Sequence, residues 1–113
     1  MSGICGVVWK DGAGRAAETL AAMVRALSRE GASEAEKAVA DGAGVAVCRR
    51  FSSQQLHQTP SSLVVCDAGL VNAAELAEEI GEHRGRNTAA LIAALYERFG
   101  GDFVAKLQGA FSI

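Results

Sequence analysis

Three short apolar runs restrict the possible folds of this chain more than any other sequence feature. They are composed largely of β-branched and aliphatic residues. They cover residues 4–9, 45–48 and 63–66. Runs of this length, bounded by turn-forming residues, are typical of buried strands, and the first is predicted to be buried on both faces. A further strand is predicted to begin at residue 109. The core is therefore expected to contain a sheet.

Helices are predicted where apolar residues recur every three or four positions. The clearest stripe is formed by Leu20, Met23, Val24 and Leu27, within a helix expected over residues 15–30. Because the intervening positions carry charged side chains, this stripe is expected to pack on the core.

Two asparagines are predicted to begin the later helices. Asn72 and Glu75 have the spacing of a capping box, which predicts a helix from residue 72 to about residue 80. Asn87 is predicted to cap a helix that ends before Gly100, and one further helical turn is expected after that glycine.

The segments between these elements are predicted to be irregular. Residues 31–44 are expected to form a loop, with a short surface helix at 33–36 as the alternative, and residues 52–62 a polar connection with an exposed tip. Strands and helices that do not alternate regularly favour the α+β class. We predict a single domain over residues 1–113.

Composition excludes several classes of partner. The chain has 113 residues, of which 50% are hydrophobic, enough for one globular domain. Its net charge of −2 and the lack of any basic cluster argue against binding to nucleic acid or an anionic membrane surface. The sequence shows neither a membrane-spanning run nor a signal-peptide pattern, so a cytoplasmic location is expected.

The cysteines and histidines give no pattern typical of a metal site. Cys5, Cys48 and Cys66 are odd in number and lie in separate apolar runs, which predicts buried, reduced thiols. His57 and His83 lack ligand spacing. No metal and no cofactor are expected.

The second residue offers one candidate for covalent catalysis. If Met1 is removed, Ser2 carries a hydroxyl nucleophile beside a free α-amine whose pKa is normally about 7.7–8.0. The alternative is that Ser2 is simply a small and common second residue.

Several segments resemble one enzyme family in both order and spacing. They read Ser-Gly-Ile-Cys-Gly-Val-Val at residues 2–8, Arg-Arg-Phe-Ser at 49–52 and Leu-Gln-Gly-Ala-Phe at 107–111. Together they resemble the glutaminase domain of asparagine synthetase, a class II glutamine amidotransferase. Residues 66–76 are similar to that domain's Asn-Gly-Glu strand end and the helix after it, and residues 87–107 to its next helix pair.

The resemblance implies the fold of an N-terminal-nucleophile hydrolase, a sandwich of antiparallel sheets flanked by helices. Members continue with further strands, so the sandwich is expected to be incomplete at the C-terminal end. In that family an N-terminal cysteine attacks the amide of glutamine and releases ammonia for a synthetase site. Here Ser2 stands in place of that cysteine, while Asp67 and Ala68 stand at the Asn-Gly oxyanion positions.

The positions that bind glutamine in the family are also altered. Arg50 matches the arginine that pairs with the α-carboxylate, although a strand-end arginine is often simply exposed. Gly69 and Asn87 replace the two acidic residues that hold the α-ammonium group. The family's His-Arg-Gly-Pro-Asp loop corresponds to residues 29–33, which keep only the glycine.

We therefore expect a domain without glutaminase activity that serves as a structural or interaction module for a separate ATP-dependent synthetase. One alternative is an active amidohydrolase in which Ser2 attacks glutamine or a related amide. A homo-oligomer formed through an unpaired sheet edge is another, and a substitute nucleophile at Cys5 is a third. Deliberate replacement of a cysteine would explain Ser2 but not the other altered positions.

Overall fold

Two antiparallel sheets and their helices make up the described part of the chain. The computed structural model describes residues 3–11, 13–28, 35–82 and 87–113. The elements are β1 Gly3–Val8, α1 Ala13–Leu27, β2 Ala35–Ala40, β3 Ala43–Cys48, β4 Gln54–Gln58, β5 Leu63–Leu70, α2 Ala73–Glu79, α3 Thr88–Phe99, a 3-10 helix Gly100–Lys106 and β6 Gly109–Ser112.

The first sheet has the strand order β1-β3-β2. Gly3 lies opposite Cys48 on one side of β3, and Ala35 lies opposite the same residue on the other side. The hairpin between β2 and β3 turns at Gly42, whose φ of 76° favours glycine. The carbonyl of Gly42 accepts a hydrogen bond from the Trp9 amide at 2.6 Å, so this turn also fixes the end of β1.

Helix α1 covers one face of the first sheet. Leu20 and Val24, from the predicted stripe, are buried against Ala46 and Cys48, and Leu27 packs beside them. Three of the four residues of the stripe therefore pack on the core, as predicted. The helix ends at Leu27 rather than at residue 30.

The second sheet has the order β4-β5-β6. Helices α2 and α3 and the 3-10 helix share one buried cluster with β5, and its central side chains are Cys66, Ile92 and Leu95. Strands β3 and β1 of the first sheet contact β5 of the second. The two sheets therefore pack together, with α1 against the first sheet and α3 against the second.

This architecture confirms the α+β class. Antiparallel pairing holds for every strand pair in the described residues. Within them, no helix is long and apolar enough to cross a membrane.

The two segments predicted to be irregular contain strands, so that part of each prediction is wrong, while the tip of the second segment at Pro60 and Ser61 is exposed as predicted. Strand β2 occupies residues 35–40, where only Ala38 is buried, and residues 31–34 lie outside the described part. Strand β4 occupies residues 54–58 and is mostly polar. Both are edge strands, which need few apolar side chains, so their composition resembles that of loops.

Strand β1 also differs from its prediction. It was predicted to be buried on both faces, but none of its residues is fully buried and Val8 is 82% exposed. The apolar run indicates a strand correctly but not how far the two faces of that strand are covered.

The two predicted asparagine caps have different outcomes. Asn87 caps α3 as predicted, because its side-chain oxygen accepts a hydrogen bond from the Ala90 amide at 3.1 Å. The capping box at Asn72 is wrong. Its buried side chain donates to the Lys106 carbonyl at 2.8 Å and accepts from the Gln108 amide at 3.1 Å, holding the end of the 3-10 helix against α2.

Gly109 is expected to be intolerant of any side chain. Its φ is 131°, and a Cβ atom there would lie 2.2 Å from the Gly69 carbonyl oxygen. We predict that Gly109→Ala lowers the free energy of unfolding by about 1–3 kcal/mol, measured by urea denaturation. The matched control is Gly101→Ala, where a Cβ meets nothing within 4 Å. Equal stabilities of the two variants would contradict the prediction.

Candidate functional site

Candidate residues lie near the ends of three strands, β1, β3 and β5. The topology brings these strand ends together on one side of the two sheets. Gly3 at the start of β1 lies opposite Cys48 at the end of β3, and residues 49–53 lead from there to β4. Gln54 at the start of β4 lies opposite Asp67. Ser2 and the loop at residues 29–33 lie outside the described residues.

Gln54 organises the connection between the two sheets. Its side chain is only 2% exposed, and its Oε1 atom accepts from the Arg50 amide at 2.7 Å and the Phe51 amide at 3.1 Å. Its Nε2 atom donates to Asp67 Oδ2 at 3.1 Å. A single buried side chain thus joins the turn after β3 to β5.

The side chain of Arg50 is exposed. It lies over the exposed ring of Phe51, with Cζ 5.7 Å from the ring centroid. Because the backbone of Arg50 is fixed and the side chain is exposed, the guanidinium is able to donate two parallel hydrogen bonds to a carboxylate. The neighbouring Arg49 is paired with Glu36 of β2 at 2.8 Å.

Both oxygens of the Asp67 carboxylate have hydrogen-bond donors within the chain. Ser53 Oγ donates to Oδ1 at 2.8 Å, and Gln54 donates to Oδ2 at 3.1 Å. An ionised carboxylate accepts hydrogen bonds and cannot donate one. Asp67 is therefore held as an acceptor at the position where the resemblance requires a donor.

The backbone at Ala68 is also engaged. Its amide donates to the Ser53 carbonyl at 3.0 Å. An oxyanion would have to displace that carbonyl in order to use the amide. Gly69 is exposed and pairs with Ala110 of β6, and it offers no side chain for binding.

Asn87 is at the start of α3, close to β4. The amide of Ala89, two residues further on, donates to Gln55 Oε1 at 3.1 Å, so the helix begins near the start of β4. Asn87 lines a shallow groove of about 290 Å³ with His57 and Glu97, neither of which is a candidate site residue. Its side-chain oxygen is engaged by the Ala90 amide.

The thiols of Cys5 and Cys66 are poorly suited to nucleophilic attack. Burial raises the pKa of Cys5, and the nearby Cys48 raises it further. Burial also raises the pKa of Cys66, and the Asp67 carboxylate adds to this while a backbone hydrogen bond from Gln55 opposes it. A raised pKa reduces the thiolate fraction near neutral pH, which weighs against Cys5 as a substitute nucleophile.

Ser53 and Gln54 were not predicted to be functional residues. They lie in a polar segment that was predicted to be an exposed connection. No sequence pattern distinguishes a buried glutamine from an exposed one. The order of strands was needed to place Gln54 opposite Asp67. No group of three histidine, cysteine or acidic side chains in the described ranges is arranged to hold a metal ion.

No protein-family model matches this chain, and no curated protein matches it in sequence.

Replacing Gln54 is expected to loosen the link between the sheets. In Gln54→Met, two backbone amides and the Asp67 carboxylate lose a partner in a buried setting. We predict a loss of about 2–4 kcal/mol in the free energy of unfolding, measured by urea denaturation. The control is Gln58→Met, at an exposed position of the same strand, which should change stability by less than about 0.5 kcal/mol. A Gln54 variant as stable as this control would show that the network contributes little.

Proposed function

We propose that this chain is an asparagine synthetase-type glutamine amidotransferase-like domain without glutaminase activity, acting as a structural or interaction module for a synthetase. The observation that carries this proposal is that the Asp67 carboxylate and the Ala68 amide are both hydrogen-bonded within the chain. The carboxylate is engaged by Ser53 and Gln54, and the Ala68 amide by the Ser53 carbonyl.

Amide hydrolysis requires donors where negative charge develops. Losing one oxyanion donor costs about 3–4 kcal/mol of transition-state stabilisation, or roughly a hundred- to a thousandfold in rate. Here an asparagine-like donor is replaced by the Asp67 carboxylate, which also repels an oxyanion. The amide that would remain is already bonded within the chain.

Binding of glutamine is weakened for a separate reason. Gly69 contributes no charge, and the neutral side chain of Asn87 is engaged in capping α3. Of the positions that resemble the family's substrate clamp, Arg50 alone keeps the matching residue type. The α-ammonium group of glutamine would therefore lack both acidic partners that the resemblance requires.

The proposed fold is that of an N-terminal-nucleophile hydrolase. Two antiparallel sheets packed together, with α1 against one and α3 against the other, support this proposal. The proposed location is the cytoplasm, and the proposed partner is a separate ATP-dependent synthetase chain.

An active amidohydrolase with Ser2 as nucleophile is the second candidate. The exposed guanidinium of Arg50, on a fixed backbone, favours it because this group suits a substrate carboxylate. Such an enzyme would act on glutamine or a related amide and would need a substrate that tolerates the missing acidic residues.

A glutaminase assay distinguishes these two candidates. We predict that the full chain releases no ammonia from glutamine above the uncatalysed rate, after intact mass has shown whether Met1 is removed. Ser2→Cys is expected to be equally inactive, because a better nucleophile does not supply the oxyanion donors. Ser2→Ala is the matched control, and an active glutaminase verifies the assay.

Ammonia release that requires glutamine and is lost in Ser2→Ala would contradict the proposal and favour the active amidohydrolase. The module role is tested by isolating the chain from its native host. A co-purifying synthetase whose ATP-dependent amide formation falls when the chain is removed supports that role, and an unchanged activity contradicts it.

A further inference from the structure

Two cysteines share one face of the first sheet. In the pairing of β1 with β3, Cys5 lies opposite Ala46 and Cys48 lies opposite Gly3. Residues two positions apart on a strand point to the same face of the sheet. Cys5 and Cys48 therefore occupy diagonal corners of a square of four residues, with Gly3 and Ala46 at the other two corners.

The face that carries the two thiols is the one covered by α1. Cys48 is buried in a cluster with Val24 of α1, and Cys5 packs against that cluster. A Cβ atom at Gly3 would lie 3.5 Å from the Leu27 side chain, so this corner of the square also faces α1. Cys5 is only partly buried, and solvent therefore reaches the pair from its side.

Small residues keep the diagonal between the two thiols open. The positions directly opposite the cysteines are Gly3, Ala46 and, on the β2 side of Cys48, Ala35. They carry nothing larger than a methyl group. Diagonal neighbours on antiparallel strands have Cβ atoms somewhat less than about 7–8 Å apart. A disulfide requires a Cβ separation of about 3.5–4.5 Å, so this pair does not form one without movement of the backbone.

A metal ion between the sulfurs spans this longer distance. A disulfide holds its sulfurs about 2 Å apart, whereas two metal–thiolate bonds of about 2.3 Å in line hold them about 4.6 Å apart. The Cβ separation then rises to about 6–7 Å, which matches the diagonal of the square. We propose that Cys5 and Cys48 together bind one monovalent copper ion in a linear, two-coordinate site.

The chemistry of the pair selects this ion. Thiolates are soft ligands and prefer soft cations such as monovalent copper to magnesium or calcium. Structural zinc takes four ligands, and the described ranges hold no group of even three suitable side chains. On binding, each thiol releases its proton to solvent and donates an electron pair to the metal. The copper remains monovalent, so no oxidant or reductant is consumed.

The electrostatics of the pair favour a cation between the sulfurs. Burial raises the pKa of Cys5, and the nearby Cys48 raises it further. Two neighbouring thiolates therefore repel each other unless a positive charge lies between them, and a coordinated metal deprotonates its thiol ligands. The Ser28 hydroxyl, 3.7 Å from Cys48 Sγ, is a polar neighbour that can donate to the bound thiolate.

This site is separate from the positions on which the proposed function depends. Neither thiol contributes to the network of Ser53, Gln54 and Asp67. A positive glutaminase assay would contradict the proposed function and leave the copper site unaffected, so the two proposals fail separately.

Copper binding is tested on the full, reduced chain without oxygen. Monovalent copper is titrated into the protein in competition with the chelator bathocuproine disulfonate. We expect one ion per chain, and X-ray absorption at the copper edge should show a first shell of two sulfurs. Bound copper should also slow alkylation of Cys5 by iodoacetamide about tenfold or more, because the thiolate is occupied.

Three matched variants test the location. Cys5→Ala and Cys48→Ala each remove one of the two ligands and should weaken copper binding by about a hundredfold or more. Cys66→Ala is the control, since Cys66 is buried in the second sheet, and it should bind as the unmodified chain does. Circular dichroism checks folding. In concentrated urea the three variants should bind alike, because the strand register that pairs the thiols is lost.

Several results would overturn the proposal. One is a folded Cys48→Ala variant that binds copper as tightly as Cys66→Ala. Another is one ion per two chains, which would assign the copper to a bridge between copies. A shell of one or three sulfurs, or unchanged alkylation of Cys5, would do so as well. The last two measurements need only the unmodified chain, so they decide the matter even where a variant fails to fold.

Discussion

The buried amide of Gln54 connects the two halves of this fold. Its oxygen fixes the turn that leaves β3, and its nitrogen fixes the carboxylate of Asp67 on β5. A primary amide suits this place because it offers an acceptor to two backbone amides and a donor to a carboxylate at the same time. The path of the chain from the first sheet to the second, and the chemistry at that end of the molecule, therefore depend on one side chain.

The elements that were predicted correctly are those whose buried residues form a periodic apolar pattern in the sequence. The stripe at Leu20 and Val24 packs as expected, and residues 45–48 and 63–66 lie within β3 and β5. Strands β2 and β4 were missed because an edge strand needs few apolar side chains. The cap at Asn72 was wrong because its partners lie 34 and 36 residues away, and no local spacing encodes a contact of that kind.

At the candidate site, too, the sequence predicts what depends on residue type and does not predict contacts between distant residues. The residue types at positions 67 and 68 already suggest that an oxyanion site is altered, because an acidic side chain stands where a donor is required. Their hydrogen-bond partners could not be predicted, since Ser53 and Gln54 belong to a polar segment without a motif. The structure adds that both carboxylate oxygens of Asp67 already accept hydrogen bonds from neutral side chains. It is a satisfied part of the scaffold.

The polar groups of β5 near Asp67 are already bonded within the chain, and β4 and β6 flank the strand there on both sides. The Asp67 carboxylate accepts hydrogen bonds from Ser53 and Gln54, and the Ala68 amide donates to the Ser53 carbonyl. Buried backbone groups in folded proteins are nearly always paired. A ligand at these positions would have to displace hydrogen bonds that the fold already makes, so each new bond would replace an existing one and add little free energy. The same hydrogen bonds that hold β4 to β5 therefore oppose the binding of an oxyanion at residues 67 and 68.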